Sequence, residues 1–189
     1  WFRGVDFSAA IKEELTRRAR QQNQIAFRKL NRTRGLALEA HYQVAADEAT
    51  KELAKNAKQT LFVAGVMAYA GHGDRRTKHH VRLTGTDPKF LRLFLRFVEH
   101  YGEVSPASFA LTLFVSSSHD QAKCQRYWRR QLGVTHFHKT QIVPGSNTKA
   151  ARVPHGTCTV TFTNTYFKCK LLVWIDQLPE MVLNRAPKK

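Results

Sequence analysis

The sequence predicts an α+β protein: a mixed or antiparallel sheet with helices on one face, preceded by long N-terminal helices. Three observations carry this expectation. Between residues 59 and 180 the hydrophobic pattern switches repeatedly between helical spacing and strict alternation, the periods of a half-buried helix and a half-buried strand. Residues 8–58 show helical spacing without any alternating segment. The resulting order over 59–180, helix, strand, helix, strand, helix, strand, strand, helix, suits a sheet covered on one side.

The elements follow in chain order. Ser8 is placed to cap a first helix, with Ile11, Leu15 and Ala19 on one side and Lys12, Arg17, Arg18 and Arg20 around the rest. A polar, basic stretch continues to Gly35, and a second helix is expected over 37–57. Residues 1–58 are therefore read as a basic helical extension or linker. An apolar helix follows over 61–70 and ends at Gly71-His72-Gly73, ahead of the basic loop Arg75-Arg76-Thr77-Lys78. Ala64, Gly65 and Ala68 leave one side of this helix nearly bare, and a glycine inside a helix costs about 1 kcal/mol against alanine, so Gly65 implies close packing. Alternation over 78–84 predicts a strand with Val81 and Leu83 inward and His80, Arg82 and Thr84 outward.

Asp87-Pro88 then starts a helix, a cap followed by proline at the first helical position, with Phe90, Leu91, Phe94, Leu95 and Val98 inward. A strand is predicted over 109–115. A helix opening at Ser118 or Asp120 turns Cys124, Tyr127, Trp128 and Leu132 inward and ends at Gly133. Strands over 137–143 and 157–163 flank a polar loop, and a last helix runs from Thr165 to about Leu178. Residues 181–189 are expected to be a disordered basic tail.

Composition limits the function. The 189 residues hold 31 Lys and Arg against 14 Asp and Glu, a formal net charge of +17, which attracts polyanions, nucleic acid first among them. No run of apolar residues is long enough to span a bilayer, and a cytoplasmic protein associated with the nucleoid or a ribonucleoprotein particle is expected. Cys124, Cys158 and Cys169 fall at no metal-ligand spacing, and the pairs His79-His80 and His136-x-His138 lack a third ligand at matched spacing. No metal site is predicted.

The stretch LFVAGVMAYAGHGD, residues 61–74, resembles the first motif of LAGLIDADG-type proteins, those of homing-endonuclease fold. It is closer to a prokaryotic group whose motif reads roughly LFLAGLALYWGEGSK, usually behind a helix-turn-helix. Leu61, Phe62, Ala64, Gly65, Tyr69, Gly71 and Gly73 match it. The phrase TGTDPKFLRLFLRFV, residues 84–98, is similar to that group's TNSDPELIRLFLRFL. Trp1-Phe2-Arg3-Gly4-Val5 resembles the segment that follows its recognition helix, so the chain is expected to begin where that module ends.

The resemblance implies a sheet that cradles the major groove and a homodimer made through Ala64, Gly65 and Ala68. It also implies a departure in chemistry. Nucleases of the family bind a divalent metal through an acid at the helix end, where carboxylate oxygen suits a hard cation. This chain has His72 there, and the ungapped register puts Ala68 and Ala70 at the acidic positions. His72 and Asp74 are the weak catalytic candidates, with Asp74 read first as a loop cap. No cofactor is expected, Mg²⁺ entering only if the chain is an active nuclease.

The candidate nucleic-acid contacts are Arg75, Arg76, Lys78, His80, Arg82, Lys139, Gln141, Lys149 and Arg152. Phosphate contacts are expected from the loops, and base reading from Arg82, Lys139 and Gln141. Residues 59–189 carry 19 basic and 7 acidic residues, so the sheet face is expected to be poor in carboxylates. DNA is preferred over RNA as partner. Two other readings stay open: a divergent homing-type endonuclease acting through Asp74 or another acid, and a structural RNA-binding protein.

Overall fold

The computed structural model describes residues 8–144 and 153–185. The readings placed on Trp1 to Val5, on Lys149 and Arg152, and on residues 186–189 lie outside the described residues. The chain divides into two compact units, Trp1–Gln43 and Val44–Lys189.

Helix α1, Ala9–Asn56, is one helix of 48 residues where two were expected. Gly35 does not break it. A single glycine costs about 1 kcal/mol, whereas stopping and restarting requires a second unfavourable nucleation, and the residues on both sides are good helix formers without proline. Through Gln43 the described side chains are almost all exposed, Ile25 and Phe27 among them. From Val44 onward the helix belongs to the second unit, and Ala45, Ala49 and Leu53 are buried there. The Trp174 indole N–H donates to the Ala49 carbonyl at 2.9 Å.

Helix α2, Thr60–His72, runs two residues past its expected end. Gly71 stays helical, and the turn falls at Gly73, whose N–H donates to the Tyr69 carbonyl at 2.8 Å. Gly73 is needed for space: a Cβ there would lie 2.5 Å from the Tyr69 ring. Gly65 has the packing role its position implied. Its Cβ would meet the Phe97 ring at 2.1 Å, so α2 seats directly on helix α3, Pro88–Gly102. Phe97 anchors an aromatic cluster with Phe62, Phe94, Tyr101, Phe167 and Trp174, with ring centroids about 5.4–6.2 Å apart. Asp87 caps α3, accepting from the Lys89 N–H at 2.8 Å.

The four strands are β1 His80–Gly85, β2 Ala110–Ser116, β3 Phe137–Val143 and β4 Thr157–Thr163, in the order β1-β4-β2-β3. The two pairings that β4 makes are antiparallel, and β2 with β3 is parallel. The sheet is therefore mixed. The parallel step follows from the crossover through helix α4, Gln121–Leu132, capped by Asp120 and ended by Gly133 in the left-handed region, φ 71°. Helix α5, Thr165–Arg185, continues through Pro179 into the expected tail. Its apolar stripe extends from Leu171, Trp174 and Leu178 to Met181, which packs on the core and outweighs one missing hydrogen bond.

Alternate residues of β1, β2 and β4 (Val81 and Leu83; Leu111, Leu113 and Val115; Cys158, Val160 and Phe162) join side chains of all the helices of the second unit in one core. The other side of the sheet is uncovered among the described residues. No helix of the described residues is long and apolar enough to cross a membrane.

Candidate nucleic-acid interface

The uncovered sheet face is a shallow concavity of about 770 Å³. Strand register sets its chemistry. One row runs Thr84, Thr159, Thr112, Lys139 across all four strands; the next runs Arg82, Thr161, Ala110; a third joins Thr157, Phe114 and Gln141. The floor, on central strands β4 and β2, is thus short and largely hydroxylic, with Thr112 and Thr159 recessed enough to be buried. The rims are edge strands β1 and β3, which bring His80 and Arg82 to one side and His138, Lys139 and Gln141 to the other. Three interstrand steps put the rims about 14 Å apart. No carboxylate lines the concavity among the described residues.

His138 escaped the alternation argument. A register shift between Leu111 and Thr112, opposite Phe137 and Lys139, makes a bulge that lets His138 and Lys139 both line the concavity. On the covered side Thr140 accepts from the Gln125 amide of α4 at 2.9 Å, which holds the β3 rim. On the opposite rim His80 Nδ1 lies 2.9 Å from Thr163 Oγ1.

The loop after α2 flanks the β1 rim. Gly73 bridges to Leu83, and the Asp74 N–H donates to the Arg82 carbonyl at 3.0 Å, so the loop runs along the outer edge of β1. Arg76 and Lys78 are exposed on it, and the Arg75 guanidinium donates to the Ala70 carbonyl at the C-terminal end of α2, where a cation is favoured. None of these three lines the concavity; they border it.

Asp74 is the loop cap. Its Oδ1 accepts from the Arg76 N–H at 2.9 Å, its Oδ2 from the Thr77 hydroxyl at 2.9 Å, and Arg82 lies 3.7 Å from Oδ2. Burial pushes its carboxyl up, but these hydrogen bonds and the Lys168 ammonium offset that and hold it below the usual carboxylate range. His72, a weak catalytic candidate, does not line the concavity. It occupies the last turn of α2 with its ring edge-on to Phe90 of α3, centroids 5.1 Å apart. His72 and Asp74 are therefore not brought together over the concavity. Among the described residues no three His, Cys, Asp or Glu side chains cluster as a metal site.

No family model, curated protein or solved structure matches this chain.

A second residue that sequence reasoning overlooked is Lys168. It is buried, and its Nζ donates to Tyr69 Oη at 2.5 Å and to the Asp74 carbonyl, while the Tyr69 hydroxyl donates to the same carbonyl at 2.7 Å. Burial lowers the Lys168 pKa, with the Asp74 carboxylate acting the other way, and burial pushes the Tyr69 phenol up to about 12. The neutral phenol can both accept and donate. The three groups tie the end of α2, the loop and α5 together beneath Arg82. The available signal was position: residue 168 falls on the inward stripe beside Phe167 and Leu171.

The small-residue side of α2 divides. Gly65 and Ala68 are buried, Gly65 against α3 of the same chain, leaving Thr60, Ala64, Met67 and Gly71 as the accessible line. His155, just before β4, stacks on Tyr127 of α4 with ring centroids 3.6 Å apart.

Proposed function

We propose that this chain is a nucleic-acid-binding protein of LAGLIDADG-like fold, without nuclease activity, that seats duplex DNA on the concave sheet face. The observation that carries the reading is a concavity that no carboxylate lines among the described residues, with cationic side chains on both rims, in a chain of net charge +17. The major groove, roughly 12 Å wide, is open enough for side chains from such a face to reach the base edges. Arg82, Lys139 and Gln141 are donors of the kind that read those edges, and Arg76 and Lys78 stand where backbone phosphates would pass. The engaged oxygens of Asp74 argue against a Mg²⁺-dependent nuclease.

In this reading the protein works in the cytoplasm with the nucleoid. A second copy packs on the Thr60, Ala64, Met67, Gly71 line, Met67 being half exposed, and doubles the platform. The test is fluorescence anisotropy on a labelled duplex at low salt. Arg82→Ala combined with Lys139→Ala is expected to weaken binding tenfold or more and flatten any sequence preference, since each good base contact contributes about 1–3 kcal/mol of discrimination. Unaltered duplex binding by the double variant would sink the sheet-face reading, and stronger binding to structured RNA than to duplex would transfer it to the RNA-binding class.

A further inference from the structure

A second basic surface lies on α4 and shares no residue with the sheet concavity. Lys123, Arg126 and Arg130 project from this helix at rises of about 4.5 and 6 Å, and with Tyr127 and His155 they line a concavity of about 420 Å³. The helix turns Cys124 and Trp128 into the core and donates to Thr140 on the covered side of the sheet, so these cations belong to the helix layer.

The aromatic part is held firmly. The Trp128 indole N–H donates to the His155 carbonyl at 2.8 Å, and Trp128 is fully buried, so the backbone at His155 is pinned to the core. From that backbone position the imidazole stacks on the Tyr127 ring, centroids 3.6 Å apart and planes 18° from parallel. Asp120 borders this surface, its Oδ1 accepting from the Lys123 N–H at 3.0 Å and its Oδ2 lying 3.9 Å from Lys123 Nζ. Among the described residues Arg126 and Arg130 form no direct ion pair, although Arg126 acts on the Asp120 carboxylate through space. Like charges one helical turn apart repel, so an anion that bridges Arg126 and Arg130 relieves that repulsion.

We propose that this surface is a binding site for an unpaired nucleic-acid strand, a base stacking on the His155–Tyr127 platform while successive phosphates lie along Lys123, Arg126 and Arg130. Stacked aromatics bordered by cations are the combination that binds single strands without reading sequence. A duplex fits less well, because its bases are already stacked and are not offered to the platform. The molecule then has two nucleic-acid surfaces, a sheet face for paired strands and a helix face for an unpaired one. The inference does not depend on the sheet-face reading.

The experiment uses the full chain, a labelled oligothymidine and a labelled duplex, with anisotropy titrations at low salt. Lys123→Ala/Arg126→Ala/Arg130→Ala is expected to weaken oligothymidine binding at least tenfold and leave duplex binding within about twofold. His155→Ala keeps the carbonyl that holds Trp128, and is expected to cost about fivefold or more on oligothymidine alone. Circular dichroism checks that each variant is folded. Arg82→Ala/Lys139→Ala is expected to do the opposite, losing duplex and keeping oligothymidine. If both α4 variants bind oligothymidine like the parent chain, or the parent does not bind it, the site is refuted and the sheet face is untouched. Loss of both ligands on substituting α4 also overturns it, because that outcome means one continuous surface.

Discussion

Gly65 shows how one missing side chain sets a helix pair. Its Cβ would fall 2.1 Å from Phe97 Cγ, and Phe97 is fully buried with aromatic rings around it, so the ring has nowhere to move. Gly65→Ala gains about 1 kcal/mol of helix propensity but overpacks the core, a cost that is typically about 1–3 kcal/mol and sits at the top of that range against an immobile ring. A net destabilisation of about 1–2 kcal/mol is expected, read as a lower midpoint in urea unfolding at unchanged slope; an unchanged or higher midpoint would mean that α2 and α3 are not seated as described. Asp74 makes a pH-dependent contribution at the same scale. Its pKa is lowered in the folded chain, so its stabilisation is fully present above the unfolded value near 3.8 and disappears as pH falls through the folded value. Asp74→Asn is expected to cost about 1 kcal/mol at neutral pH, where the carboxylate accepts from Arg76 and Thr77. The difference from the parent should close below about pH 4. Urea midpoints measured from acid to neutral pH check this, and a gap that widens in acid would reverse the sign.

At the scale of elements, the strands and the capped helices were legible in the sequence because local rules and tertiary packing agree there. Phe137–Val143 and Thr157–Thr163 match the alternation, and Asp87-Pro88, Asp120 and Gly133 mark helix ends by their own chemistry. The open face was legible for the same reason, since alternation places His80, Arg82, Thr159 and Thr161 on one side. What was not legible depends on partners distant in the chain. Gly35 and Pro179 read as breaks, yet α1 and α5 pass through them, in one case because a second nucleation costs more and in the other because Met181 extends the buried stripe. His138 reaches the concavity through a bulge that exists only in the pairing of β3 with β2. Lys168 looked like any lysine on a helix until Tyr69 and the Asp74 carbonyl, nearly a hundred positions earlier, were seen beside it.

For the molecule as a whole, charge and core are distributed differently, and this separates binding from folding. The core begins at Ala45, whereas residues 1–43 carry 9 basic against 4 acidic residues and their described side chains are nearly all exposed. A chain starting at Val44 is therefore expected to unfold cooperatively, with a melting temperature within a few degrees of the full chain. Salt dependence then tests where the proposed duplex would lie. Each neutralised phosphate contributes about 0.9 to the slope of log affinity against log salt concentration, so Arg76→Ala/Lys78→Ala in the full chain should lower the duplex slope by about 1.8. The Val44 truncation should keep the greater part of the slope, because the contacts assigned to the sheet and its bordering loop all remain. The opposite pattern, a slope that survives the double variant and collapses on truncation, would mean that phosphates lie along the basic N-terminal helix and that the concave face serves another ligand.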